Sequence, residues 1–196
     1  MGKKFNASMK ILGIDQSTVA SGYAVLEGAD LAKFGVIDLH KMKKLDARVQ
    51  QMYRELDALI LQVNPDIVVF EDVSLRTNVK TLVLLSRLQG SIQQSSMLRG
   101  IPIEIYAPST WRSIIGLVQG REIQRPQLKQ EAIDFVNQSY GITVDDDCAE
   151  AICIGLAYLK NTGRLPDQNE KKGKSNNGKK GKIDVCNSGN ETLEGK

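Results

Sequence analysis

Two short stretches of this chain, "MKILGI" (residues 9–14) and "DIVVFED" (residues 66–72), are apolar runs that end in carboxylates: Asp15 follows the first, and Glu71 closes the second. The second run is continuous rather than alternating, which marks a strand covered on both faces, as in a parallel sheet sandwiched between helices. A carboxylate at the end of such a strand stands where the chain leaves the apolar interior. In open α/β sheets the carboxyl ends of parallel strands gather at one crevice, and ligands bind there. If these two strands are parallel neighbours, Asp15 and Glu71 share that crevice.

The segments around them set the order. "GYAVLE" (22–27) and "AKFGVID" (32–38) read as strands, and the short polar links "DQSTVAS" and "GADL" suit antiparallel hairpins. Leu45, Val49, Met52, Tyr53, Leu56, Leu59, Ile60 and Val63 then recur at helical spacing, and Asn64-Pro65 stops that helix. A second helix is predicted over 78–99, a strand over 103–107, and, after a turn through "STWRSIIG", two closing helices over 127–140 and 146–162. The order βββ-α-β-α-β-α-α predicts an α/β fold with a mixed five-stranded sheet, a three-strand antiparallel meander followed by parallel strands, flanked by helices.

The 196 residues, 41% hydrophobic and 25% charged, suit one domain, expected over 1–162. That domain is balanced, with 18 basic and 18 acidic residues, whereas 163–196 carry 8 and 5. Within the latter, "KKGKSNNGKKGK" has six lysines in twelve residues and no large apolar side chain, so the tail is expected to be basic and disordered. No apolar run reaches 18 residues, which predicts no membrane association and a cytoplasmic protein. Cys148, Cys153 and Cys186 form no CxxC pair, and the only histidine, His40, lies in a polar stretch, so the composition argues against zinc.

The chemistry is therefore expected from acids. Besides Asp15 and Glu71, Asp147 and Glu150 open the last predicted helix at i and i+3, on one face. Like charges 4 Å apart repel by roughly 4 kcal/mol at an effective dielectric near 20, so such a cluster calls for a cation. Oxygen ligands without His or Cys favour Mg²⁺, with Mn²⁺ an alternative, and two such ions suit phosphodiester hydrolysis. The competing reading of Asp145, Asp146 and Asp147 is helix capping and dipole compensation. Asp146 is assigned to the cap and Asp72 to the opposite face from Glu71, both as bystanders.

"ILGIDQSTVASGYAVLE", "IVVFEDV" and "DDDCAEAICIGLAY" resemble, in order and spacing, the RuvC-type Holliday junction resolvases of the ribonuclease H-like superfamily. The resemblance covers about residues 9–160 and is nearest to variants carried by phages of Gram-positive bacteria. It implies that Asp15, Glu71, Asp147 and Glu150 are the catalytic carboxylates and bind two Mg²⁺ ions. The last helix carries D-x-x-E where cellular members carry D-x-x-D, so the reach of Glu150 differs by one methylene. Family members hold the scissile phosphate with basic residues, for which this chain offers Arg112, Arg125 and Lys129. Where cellular members place an aromatic after the strand-four glutamate, "EDVSLRTN" supplies Leu75. The resemblance further implies a homodimer acting on branched, four-way DNA, with the dimer contact on the helix over 78–99, through Val79, Leu82, Leu85, Leu88 and Ile92. No small-molecule cofactor is expected.

The implied activity is metal-dependent resolution of four-way junctions by paired symmetric nicks, leaving 5′-phosphate and 3′-hydroxyl ends. Three alternatives compete with it. A ribonuclease H-like nuclease with relaxed preference for branched DNA would carry the same acids. A non-catalytic DNA-structure binder would gain nothing from negative charge facing phosphates. An ATPase of the actin and sugar-kinase type would need a glycine that "GIDQST" lacks, and about twice the length.

Overall fold

The computed structural model describes residues 9–73, 78–120 and 122–165, together with the backbone of 184–185. The strands are β1 (Lys10–Asp15), β2 (Ala20–Glu27), β3 (Asp30–Asp38), β4 (Ile67–Glu71), β5 (Ile103–Tyr106) and the two-residue β6 (Asp184–Val185). The helices are α1 (Leu45–Val63), α2 (Val79–Leu98), α3 (Pro108–Ile115), α4 (Arg125–Tyr140) and α5 (Asp146–Asn161). They form one sheet in the order β5-β4-β1-β2-β3-β6, in which β1, β2 and β3 are antiparallel and β4 and β5 run parallel to β1. The predicted five-stranded arrangement is therefore present, with β6 added parallel to the β3 edge. β6 falls within the segment expected to be without structure. The lysine run of that segment, and Leu75, lie outside the described residues.

One segment read as a turn is a helix. Pro108 occupies the first turn of α3, where its fixed φ fits and no N–H is needed, and Gly116 ends the helix in the left-handed region with φ 84°. Trp111 and Ile115, four apart, bury the same side of it. Eight residues give only two turns, too few for a sequence period to emerge. α1 runs over the span its periodicity predicts, and Asn64, left-handed with φ 44°, donates its N–H to Ile60 O as the cap.

The two faces of the sheet are covered differently. On one, α1 and α2 lay Met52, Leu56, Leu88 and Ile92 against Leu12, Ile14, Val68 and Phe70. On the other, α5 lies directly against β1, β2, β3 and β4, with α3 and α4 outside it. Its residues from Cys148 to Ala157 are all buried, including those turned away from the sheet. Glycines permit that approach: a Cβ on Gly13 would stand 2.3 Å from Ala151 O, and one on Gly22 would stand 2.0 Å from Asp147 O.

Candidate functional site

Asp15 is the last residue of β1 and Glu71 the last of β4. The parallel register pairs Ile14 with Phe70, so the next step along both strands brings the two acids side by side. Across the antiparallel pairing Asp15 faces Gly22, the residue whose missing side chain admits the backbone of Asp147. One strand register and one glycine thus place three of the predicted acids together. Glu150 lies one turn further along α5 and is 7% exposed.

The first turn of α5 separates the acids by role. Asp145, not Asp146, is the cap: its Oδ1 accepts the Cys148 N–H at 2.7 Å. Asp146 instead accepts a hydrogen bond from the Lys129 ammonium, and Lys129 Nζ also lies 3.7 Å from Asp147 Oδ1. Asp72 accepts from the Gln89 side chain at 3.1 Å.

Burial, and then the carboxylates of Glu150, Glu71 and Asp147, push the Asp15 carboxyl well above the usual range, against the opposing pull of Lys129. Burial followed by Asp146 also raises Asp147, whereas Asp146 is desolvated but held low by Lys129. Desolvation works against the Lys129 charge, yet its bond to Asp146 and the nearby Glu150 and Asp147 raise its pKa overall.

Two neighbours hold the remaining acids from the α3 side. The Trp111 indole N–H donates to Glu71 Oε2 at 2.8 Å. Arg112, 6% exposed, donates to Glu150 Oε1 and, through Nη1, to Leu128 O at 3.0 Å. Of the three basic residues named from sequence, Arg112 and Lys129 are thus bonded to acids. Arg125 is exposed at the start of α4, and among the described residues no acid pairs with it. It lines both of the clefts, about 300 and about 220 Å³, that meet at Asp15 and Glu71.

Two participants were not anticipated from the sequence. Trp111 gave a weak signal, being the only tryptophan and sitting in "STWRS". Gln16, beside Asp15, donates to Glu71 O at 2.8 Å and thereby ties the ends of β1 and β4. Its Oε1 is buried at the cleft wall without a hydrogen-bond partner among the described residues.

The donor set fits a hard divalent cation. Four carboxylates and no thiolate or imidazole converge, burial and the other three raise the proton affinity of Asp15, and among the described residues the amide oxygen of Gln16 beside it lacks a donor. Among the described residues, however, no three of these groups stand close enough to form a ready-made coordination cage. One oxygen of Glu71 and one of Glu150 accept hydrogen bonds from their α3 partners.

A family model described as "Crossover junction endodeoxyribonuclease RuvC" matches residues 11–156. Among curated proteins of the same description, one from Syntrophomonas wolfei is 28% identical over 155 residues, covering 77% of this chain and 88% of that protein. One from Chlorobium phaeovibrioides is 37% identical over 118 residues, 58% of this chain and 61% of that protein. The fold is shared with Thermus thermophilus RuvC solved in complex with a Holliday junction substrate: TM-score 0.65 at 16% identity, over 79% of this chain and 95% of the other. It is shared also with the yeast mitochondrial Holliday junction resolvase, with TM-score 0.52 at 15% identity over 83% and 82%.

Proposed function

The chain belongs to the RuvC family of crossover junction endodeoxyribonucleases, and from that membership and its carboxylate cluster we propose that it is a metal-dependent endonuclease that resolves four-way DNA junctions by paired nicks. The observation that carries the reading is the half-buried Asp15, crowded by three further acids at the junction of two open clefts. Such a cluster is unfavourable by itself and becomes favourable when a cation binds between it and a phosphate.

Asp15, Glu71, Asp147 and Glu150 would hold two Mg²⁺ ions, with Mn²⁺ able to replace them. When bound, the ions supply Lewis acidity toward the scissile phosphate and toward the hydrolytic water. The protein's own residues do the positioning. β1 and β4 fix Asp15 and Glu71 at the floor, and Gly22 sets the depth at which Asp147 joins them. Arg125, exposed at the mouth of both clefts, would hold a backbone phosphate and orient the strand. Lys129 keeps Asp146 charged and out of the cluster, and its own charge lowers the repulsion felt by Asp147.

A junction with two-fold symmetry calls for a symmetric dimer with one site per cut strand. The first half of α2 suits the contact: Val79 is 64% and Val83 41% exposed, whereas Leu88 and Ile92 belong to the core of the subunit. No described helix is long and apolar enough to cross a membrane, and the protein would act on DNA in the cytoplasm.

The test incubates the protein with labelled four-way, Y-shaped and linear DNA in Mg²⁺ or in EDTA. The four-way junction should be nicked at paired sites in Mg²⁺ alone, and Asp15→Asn should lower the rate by about a hundredfold or more. Wild-type activity in Asp15→Asn would remove the metal-site assignment. Equal rates on linear duplex and four-way junction would remove the resolvase reading and leave a nuclease of relaxed preference.

A further inference from the structure

Two adjacent residues of α3 reach two different acids. Trp111, fully buried, is bonded to Glu71 at the end of β4, and Arg112 is bonded to Glu150 on α5. The guanidinium is fixed on three sides: Leu128 O of α4 accepts one arm, Glu150 accepts the other, and the Trp111 ring lies 4.2 Å from its centre. A planar fork held this way has one orientation, unlike a surface arginine searching for phosphate. Arg112 contributes to the wall of the smaller cleft along with Arg125, but is only 6% exposed where Arg125 is exposed.

The Glu150 side chain is 10% exposed, a position in which an unpaired carboxylate would be strongly destabilising. The geometry points to Arg112 as a positioning residue that acts as an internal counter-cation, holding Glu150 in the metal-free protein until a divalent cation takes its place. This rests on the metal-dependent nuclease reading above and adds a division of labour to it. Asp15 and Glu71 end neighbouring strands at the floor, with Trp111 bonded to Glu71 and Asp147 above Gly22, and Glu150 joins only when a cation competes with Arg112. The extra methylene of glutamate matters here, because an aspartate would draw the carboxylate back by roughly 1.5 Å from the guanidinium.

The consequence is a measurable coupling between positions 112 and 150 in cation affinity, independent of cleavage. Mn²⁺ is titrated calorimetrically into the full-length protein, and in parallel by the fluorescence of Trp111, the only tryptophan in the chain. Wild type, Arg112→Gln, Glu150→Gln and the double variant are compared. Arg112→Gln should bind Mn²⁺ at least about fivefold more tightly than wild type, because Glu150 no longer has a protein partner. In the Glu150→Gln background the same change should alter affinity by less than about twofold, the remainder being nonspecific charge removal. The melting temperature of metal-free Arg112→Gln should fall, and Mn²⁺ should raise it by more than it raises that of wild type.

Arg112→Lys keeps the charge and loses the fork, and its affinity should rise by only about two- to threefold, again only when Glu150 is present. It carries the test if Arg112→Gln does not fold. Weaker Mn²⁺ binding in a folded Arg112 variant, or equal effects in both position-150 backgrounds, overturns the counter-cation role. If wild type neither binds Mn²⁺ nor cuts a junction, the nuclease reading itself fails; if it does both while 112 and 150 do not couple, only this inference fails.

Discussion

The two faces of the sheet achieve close packing by opposite means. Toward α1 and α2, large side chains such as Met52, Leu56 and Phe70 fill the space between sheet and helix. Toward α5 the space is nearly absent, since Gly13 and Gly22 bring strand backbone against helix backbone. The first arrangement tolerates small shifts, because side chains can repack. The second leaves no compliant element between Gly13 and the Ala151 carbonyl or between Gly22 and the Asp147 carbonyl, so the helix bearing two acids is registered on the strand bearing a third and on that strand's neighbour. The face that carries the chemistry is the face with the least freedom.

The contrast is broken most directly by adding one carbon. Gly22→Ala places a methyl group where Asp147 O stands, and it should cost about 3 kcal/mol in urea denaturation while also lowering cleavage by displacing Asp147 from Asp15. A loss of stability below that of an ordinary surface substitution would mean that α5 can lift away, and the contrast would not hold.

A smaller effect is expected at Asp15, where stability and activity should oppose each other. Its carboxyl holds a proton more tightly in the folded protein than in the unfolded chain. Its contribution to stability is therefore complete below the unfolded carboxylate pKa and is lost as pH rises through the raised folded value. Without divalent cation, Asp15→Asn should be more stable than wild type at neutral pH, and denaturation at successively lower pH should shrink the difference. A difference that grows on acidification would contradict the burial and crowding assigned to Asp15.

The smallest expected change, with opposite sign to Gly22→Ala, lies on the other face. A Cβ on Gly90 of α2 meets nothing within 4 Å, so Gly90→Ala should stabilise by about 0.5–1 kcal/mol through helix propensity alone. A thermal melt checks this; a destabilisation would place an unsuspected contact over that part of α2.

The same contrast explains what could be read from the sequence. α1 was legible to the residue, because five turns of periodic Leu, Met and Ile end at Asn64-Pro65. The apolar strands and their terminal acids were legible too, since continuous burial and a final charge are local properties. α3 was not, because two turns carry little period and Pro108 reads equally well as a turn. Nor was the cap at Asp145, because three consecutive aspartates differ only in backbone position. Gly13 and Gly22 looked like unremarkable strand glycines; their importance lies in which backbone crosses them, and no single segment encodes that. Arg112 is offered for phosphate by the family resemblance; its bond to an acid 38 residues away on another helix is encoded in no single segment.

α5 is buried on every side from Cys148 to Ala157, and it contributes both to the core and to the acid cluster. Synthesis proceeds from the amino terminus, so Asp15 and Glu71 leave the ribosome long before residues 146–161 do. Throughout that interval the nascent chain carries only two of the four site acids, and one face of the sheet lacks its helix. A chain ending before Asp146 would lack Asp147 and Glu150 together with the helix that covers one face of the sheet.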